Sequence, residues 1–338
     1  NEGLNYSTAA PSSYSGSFSN SAFVMPIGTE VAIVPIRDQG LFCIGTDAVY
    51  ALNPAATPAV TDKPEPILDI GGIGTKTFIL VGDDIMGLFR DGIRAIKRTV
   101  QDKLQLGISY PLSYVMKDEV DSINWAAADK ATSVWFDNKY IISLPVDGST
   151  YNNEVWTYNP ASNGWSVYQG WNVSDWSKFV VDGVEGLYGI DSVNGAVYQY
   201  FATTLDDDDA GDTSNISYEE IGRKEDMQAP YNKKNTGELT IRAESSSGTL
   251  TVEGQFDDAG WNTLGTIDLT GNSVHFDLYT FPFIFLPSNI ITEKFHLDSY
   301  GPWYTLQYKL THSDSGDCKI LERTIRAFMD EYTDEEGL

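Results

Sequence analysis

Three kinds of residue cluster in this sequence could do chemistry. Gly71-Gly72-Ile73-Gly74-Thr75-Lys76-Thr77 has the glycines, lysine and threonine of a phosphate-cradling loop. Its order is wrong: the lysine that reaches the β- and γ-phosphates directly follows the last glycine, and here Thr75 intervenes. The residues after it, Phe78 to Gly82, read as a strand where a phosphate loop opens a helix. A glycine-rich turn between strands is the better reading. Asp206 to Asp212 gathers the carboxylates that hard cations seek, and Asp206, Asp208 and Gly211 match calcium-loop positions. Ala210 and Ser217 stand where further ligands belong, so the closing carboxylate is missing. Asp206, Asp208 and Asp212 stay as a loose calcium candidate beside the reading of a solvated linker.

The third kind is aromatic. Trp125, Trp135, Trp156, Trp165, Trp171 and Trp176 could stack on sugar rings, although most are expected in the core, where aromatics bury the largest apolar area. Trp171 and Trp176, beside glycine and polar turns, are the candidate exposed aromatic contacts. His275, His296 and His312 form no HExxH or HxH pattern, and no Cys-His cluster or GxSxG elbow occurs. A glycosidase needs two carboxylates at a fixed separation; among 48 acidic residues a pair can always be nominated, so none is. No catalytic residue is assigned, and no cofactor beyond the calcium candidate.

The elements that must position these residues are hairpins. Glu154 to Asn159 alternates into a turn at Asn159-Pro160-Ala161-Ser162-Asn163-Gly164, and Trp165 to Tyr168 alternates out of it. Period-2 aromatic and β-branched runs separated by such turns predict antiparallel hairpins. CIGTDAVYAL, LVGDDIMGLF, WFDNKYIISL and VDGVEGLYGI repeat one design, starting at 43, 80, 135 and 181. That interval lies near the roughly 40–50 residues of a four-stranded propeller blade. One helix is expected, over 111–123, from apolar residues at helical spacing. Residues 53–66, with four prolines, read as a loop. After residue 215 the pattern becomes about seven short strands of clean alternation, which favours a β-sandwich.

The fold class expected is all-β: propeller-like repeated hairpin blades, then a C-terminal β-sandwich. The domains expected are a docking arm (1–21), the propeller-like domain (22–204), an acidic linker (205–215), the β-sandwich (216–328) and an acidic tail (329–338). Length alone suggests two domains, since 338 residues exceed a single core. A charge of −26, from 48 acidic and 22 basic residues, argues against specific nucleic-acid binding. No apolar run approaches a membrane span. Cys43 and Cys318 make no disulfide framework and read as buried thiols.

The order of segments resembles the β-propeller tail proteins of short-tailed bacteriophages, called stabilisation, hub or nozzle proteins. ILDIGGIGTKTFILVGDDIMGLFRDGIRAI (67–96), LSYVMKDEVDSINWA (112–126) and the run 134–171 carry it, followed by LYGIDSVNGAVYQYF and YTLQYKLTHSDSGDCKILERTIRAF. The resemblance covers most of residues 25 to 328. It implies a structural virion protein without enzymatic activity, located in the phage tail. Its partners would be copies of itself in a ring, with portal, adaptor or other tail proteins. That ring would extend the portal channel and guide DNA ejection. Family members are longer at the amino end, so either the propeller is small or blades are absent here. The alternative from a different class is an extracellular carbohydrate-binding or glycoside-hydrolase propeller with a β-sandwich module.

Overall fold

Strands buried on both faces read as continuous apolar runs, and Ile85 to Phe89 and Tyr140 to Leu144 are runs of this kind. The computed structural model describes residues 28–36, 40–52, 65–181, 183–202, 206–209, 212–244, 247–270, 290–314 and 318–329. The chain divides into two compact units, residues 1–202 and 203–338.

Among the described residues unit 1 holds four antiparallel sheets, each a meander of strands consecutive in sequence. The first comprises β1 (Glu30–Ile36), β2 (Gly40–Gly45), β3 (Val49–Leu52) and β4 (Glu65–Leu68); the second β5 (Ile79–Val81), β6 (Asp84–Phe89) and β7 (Gly92–Ala95). Helix α1 (Ile96–Leu106) follows, then a 3-10 turn at Leu112–Met116 and α2 (Lys117–Ser122). The third sheet is β8 (Thr132–Phe136), β9 (Lys139–Leu144), β10 (Glu154–Asn159) and β11 (Gly164–Gln169); the fourth is β12 (Val173–Val181), β13 (Val184–Asp191) and β14 (Val197–Tyr200).

Alternation along the middle strands sends each side chain to one of two cores. On β6, Ile85 and Phe89 pack toward the first sheet with Ile44, Val49 and Leu68. Met86 and Leu88, between them, pack toward the third with Tyr140, Ile142 and Trp156. On β9 and β10, Ile141 and Val155 face the fourth sheet's Val173 and Leu187. The leading strands of successive sheets lie side by side: β1 with β5, β5 with β8, β8 with β12. This is propeller-like stacking of blades, face on face.

The glycine run 71–74 stitches blades together and opens no helix. A Cβ on Gly71 would sit 1.6 Å from the Thr46 carbonyl oxygen, and one on Gly72 would meet Phe78 at 2.4 Å. Gly72 donates its N–H to Gly45 O (2.9 Å) and Ile73 to Leu88 O (2.9 Å), tying the first two sheets through bare backbone.

Unit 2 opens with a hairpin, β15 (Asp206–Asp209) and β16 (Asp212–Asn215), where an acidic linker was expected. A four-stranded sheet follows, β17 (Tyr218–Ile221), β22 (Leu306–His312), β19 (Thr249–Phe256) and β20 (Asn262–Asp268) in spatial order. A three-stranded sheet runs β21 (Ile290–His296), β18 (Lys234–Glu244), β23 (Ile320–Met329). Leu239, Ile241 and Ala243 of β18 meet Leu250, Val252 and Leu310 of the other sheet, a β-sandwich core. Lys234 is wholly buried; its ammonium donates to Ala229 O (2.7 Å) and Tyr304 O (2.6 Å), and burial lowers its pKa.

Several expectations need correcting. The stretch 111–123 is a 3-10 turn leading into the short α2, and the longer helix α1 was not foreseen. Pro66 lies within β4, an outer strand of its sheet, where a residue lacking N–H is tolerated. Cys43 is buried but Cys318 is only half-buried, and no disulfide joins them. The expected arm (1–21) and the tail beyond Met329 lie outside the described residues. Among the described residues no helix is long and apolar enough to cross a membrane.

Two outcomes follow from this packing. Gly71→Ala forces a methyl into the Thr46 carbonyl and should cost unit 1 about 3 kcal/mol, lowering its calorimetric midpoint by about 6–12 °C. In unit 2, burial first and then the negative charge of Glu220 push the Tyr308 phenol up to about 12. A folded pKa above the unfolded value of 10.0 gives stability present below pH 10 and lost as pH rises toward 12. Denaturant titrations at successive pH values should show that loss in the native chain and a shallower one in Tyr308→Phe.

Candidate functional site

Polar side chains converge in unit 1 on a cavity of about 290 Å³ lined by Thr75, Lys76, Asp129, Lys130, Tyr151, Asn152, Ser174 and Ser192. Three blades supply them. Thr75 and Lys76 precede β5, Asp129 to Ser174 lie in and around the third sheet and the start of β12, and Ser192 sits in the β13–β14 turn.

Several contributors are fixed by hydrogen bonds to a neighbouring blade or within their own loop. Ser133 on β8 donates its backbone N–H to Lys76 O (2.9 Å) and its hydroxyl to Thr77 O (2.8 Å). The Tyr140 hydroxyl reaches the same Thr77 carbonyl at 3.0 Å from a fully buried position, and burial pushes that phenol well above its ordinary range. Lys76 Nζ pairs with Asp175 Oδ2 at 2.6 Å. The Tyr151 backbone is turned by Ser149, whose hydroxyl donates to Tyr151 O (2.7 Å). Ser192 donates its hydroxyl to Asn152 O (3.1 Å) and its N–H to Asn172 O (2.6 Å).

Asn152 braces the wall. It is 2% exposed, and its amide NH₂ donates to Lys130 O (3.0 Å) and Val173 O (2.8 Å). Those two carbonyls fix which end of the amide is which. The other end, Oδ1, is buried with no hydrogen-bond partner. Native structures leave few buried polar atoms unsatisfied; this oxygen is one, and with almost no accessible surface it lies behind the cavity wall rather than open to it. Around it the cavity offers cationic donors from Lys76 and Lys130, a carboxylate without a partner among the described residues at Asp129, and the half-open ring of Tyr151.

The residues singled out from sequence lie elsewhere, Thr75 and Lys76 excepted. Trp171 and Trp176 are half-buried rather than exposed. They belong to an aromatic cluster in which Trp171 stacks on Tyr168 (4.5 Å, 21°) and meets Tyr200 and Phe201 edge-on, while Trp176 meets Tyr200 at 5.1 Å. The side chains of Asp206, Asp208 and Asp212 lie outside the described residues. The backbone register of their hairpin sets Asp212 opposite Asp209, not opposite Asp206 or Asp208. His296 is exposed, His312 is buried beside Ser247 O (3.1 Å), and His275 lies outside the described residues. Among the described residues no group of histidine, cysteine and carboxylate side chains could hold a metal.

Glu154 is held above the ordinary carboxylate range, chiefly by burial, and its Oε2 accepts the Trp156 indole N–H at 3.0 Å. It is not among the cavity-lining residues. Its raised folded pKa means stability that is full below about 4.5 and lost as pH rises through the folded value. Glu154→Gln keeps the acceptor for Trp156 without the charge. It should match the native chain in thermal stability at pH 4 and equal or exceed it at pH 7.

No protein family matches this sequence, and no curated protein matches it. Among solved structures it is similar to an exo-beta-1,3-galactanase from Phanerochaete chrysosporium bound to galactose, at 10% identity and a TM-score of 0.26, covering 88% of this chain and 80% of that one. Two variants of that enzyme bound to beta-1,3-galactotriose match with the same identity and coverage at a TM-score of 0.27. These are glycoside hydrolases, not tail proteins. The expectation of a structural phage-tail nozzle without enzymatic activity finds no support in them and is withdrawn. At such low similarity they assign no activity to this chain, whose function must be argued from its own cavity.

Proposed function

We propose that unit 1 binds a saccharide in the cavity lined by Lys76, Asp129, Lys130, Tyr151 and Asn152. The observation that carries this is a cavity of about 290 Å³ whose lining, drawn from three blades, sets Lys76, Lys130, Asp129 and Tyr151 around one space. The ligand must donate to Asp129 and accept from the two lysines. Sugar hydroxyls do both at every position, whereas an anion would satisfy the lysines and leave Asp129 opposed. Tyr151 supplies an apolar face for a ring, in keeping with sites that combine aromatic area with a few placed polar groups.

The geometry supports recognition first. Asp175 is engaged by Lys76 (2.6 Å) and accepts from the backbone N–H of Trp176 (3.0 Å). Hydrolysis would also require an acid poised to protonate the leaving oxygen, so release of reducing ends is followed in the same samples as binding.

A glycan array followed by calorimetry on the retained sugars tests the reading. Asp129→Asn and Tyr151→Ala remove exposed or half-exposed groups without touching the buried amide, and each should weaken binding about tenfold, or about 1.4 kcal/mol. A folded native chain that retains no glycan, or binding indifferent to both substitutions, would overturn it.

A further inference from the structure

The outer strands of the unit 2 sandwich are unequal. β17 has four residues and β20 and β21 have seven each, whereas β23 has ten, ILERTIRAFM, with neither proline nor glycine. β23 pairs with β18 along one side, and among the described residues no strand pairs with the other. Alternate residues of a strand turn their N–H and C=O groups to opposite sides, so half of this ladder is left open. A long open edge is a template for another strand, and proteins ordinarily shorten, bulge or cover it. From Glu322 to Phe328 the pairing with β18 is regular, with Arg242 opposite Glu322 and Thr236 opposite Phe328.

Glu322, Thr324, Arg326 and Phe328 share the face of β18 that turns away from the sandwich core. Their order is self-complementary about Thr324 when two copies of β23 run antiparallel. Glu322 then meets Arg326 of the other copy, Arg326 meets Glu322, and Thr324 meets its own equivalent. Phe328, 68% exposed, comes opposite the start of the other strand, where Leu321 is 39% exposed. Moving the twofold by one residue sets Glu322 against Thr324 or Phe328. Moving it by two sets glutamate on glutamate or arginine on arginine, and like charges directly opposite are destabilising.

Contacts within the chain leave these groups free to do this. Glu322 accepts from Arg242 at Oε2 (2.6 Å) and from the Thr324 hydroxyl at Oε1 (3.1 Å), and a carboxylate has about four lone-pair sites. Arg326 lies opposite Glu238, which is held by Lys294 (2.9 Å), and it forms no salt bridge among the described residues. Arg323, on the inner face, is matched by Glu220 of its own chain.

We propose that β23 of one copy of this chain pairs antiparallel with β23 of a second about a twofold axis at Thr324, joining the β21–β18–β23 sheets of both into one. Open backbone supplies the attraction, and the Glu322–Arg326 pairs set the register. The contact is isologous, so it closes at two copies. The chain-wide charge of −26 opposes the meeting. At physiological salt that repulsion is largely screened beyond about 8 Å, and β23 itself carries two arginines against one glutamate.

Sedimentation velocity of the full chain in physiological salt is the test, with Glu322→Arg and Arg326→Glu as variants. Both positions are exposed, and circular dichroism checks that the fold is kept. The native chain should pass from one copy to two as its concentration rises through the micromolar range, and go no further. Each variant alone sets like charges opposite each other twice across the axis and should raise the dissociation constant at least about tenfold. An equimolar mixture of E322R and R326E sets every charge against its opposite and should recover the native affinity. A native chain that stays monomeric, single variants that associate as the native chain does, or a mixture no tighter than its components overturns the proposal.

Discussion

At Gly71 the chain crosses the Thr46 carbonyl with no room for a side chain. From there the links run outward. Gly45 and Leu88 carbonyls receive the N–H groups of Gly72 and Ile73, and the Thr77 carbonyl receives the hydroxyls of Tyr140 and Ser133. One short passage therefore touches the first three sheets. The faces of those sheets can interdigitate only because this passage holds them at the spacing their side chains need.

The same passage places the cavity. Lys76 stands one residue from Thr77, so the bonds that fix Thr77 also aim Lys76 at its neighbours on the third and fourth sheets. Tyr140 contributes by staying neutral: its burial keeps the phenol protonated across the physiological range, so the bond to Thr77 O does not switch with pH. On the far wall the Asn152 amide bridges Lys130 O and Val173 O, joining the third sheet's connections to the fourth sheet. A site built this way is held by blade-to-blade contacts rather than by one element, as expected of preorganised recognition.

How much of this was legible in the sequence depended on where the information sits. Hairpins were readable because their turns carry their own chemistry: Asp137 and Asn138 adopt φ of 46° and 55°, which suits those two residue types. The repeated segments at 43, 80, 135 and 181 each straddle a hairpin of a different sheet. Helix α1 was not readable from local signals at its start. Its first N–H groups, on Lys97 and Arg98, are capped by the Asp84 carboxylate (2.8 and 3.2 Å) from the β5–β6 turn, far back in the chain. The local signal was at the other end, where Gly107 takes φ of 74° and closes the helix onto Lys103 O. The cavity was hidden for a related reason. Its residues are scattered from Thr75 to Ser192, and their convergence on one space is a property of packing that no spacing encodes.

Pro35 and Pro66 sit in β1 and β4, the two outer strands of the first sheet. Each lacks the amide hydrogen through which a stray strand could extend the ladder. The flank of unit 1 that begins the chain is thereby blunted against cross-strand recruitment, whereas the fourth sheet ends in β12 and β14 with no proline in either. Backbone pairing by a stray strand is thus hindered at Pro35 and Pro66 of the first sheet and left open along the proline-free outer strands of the other three.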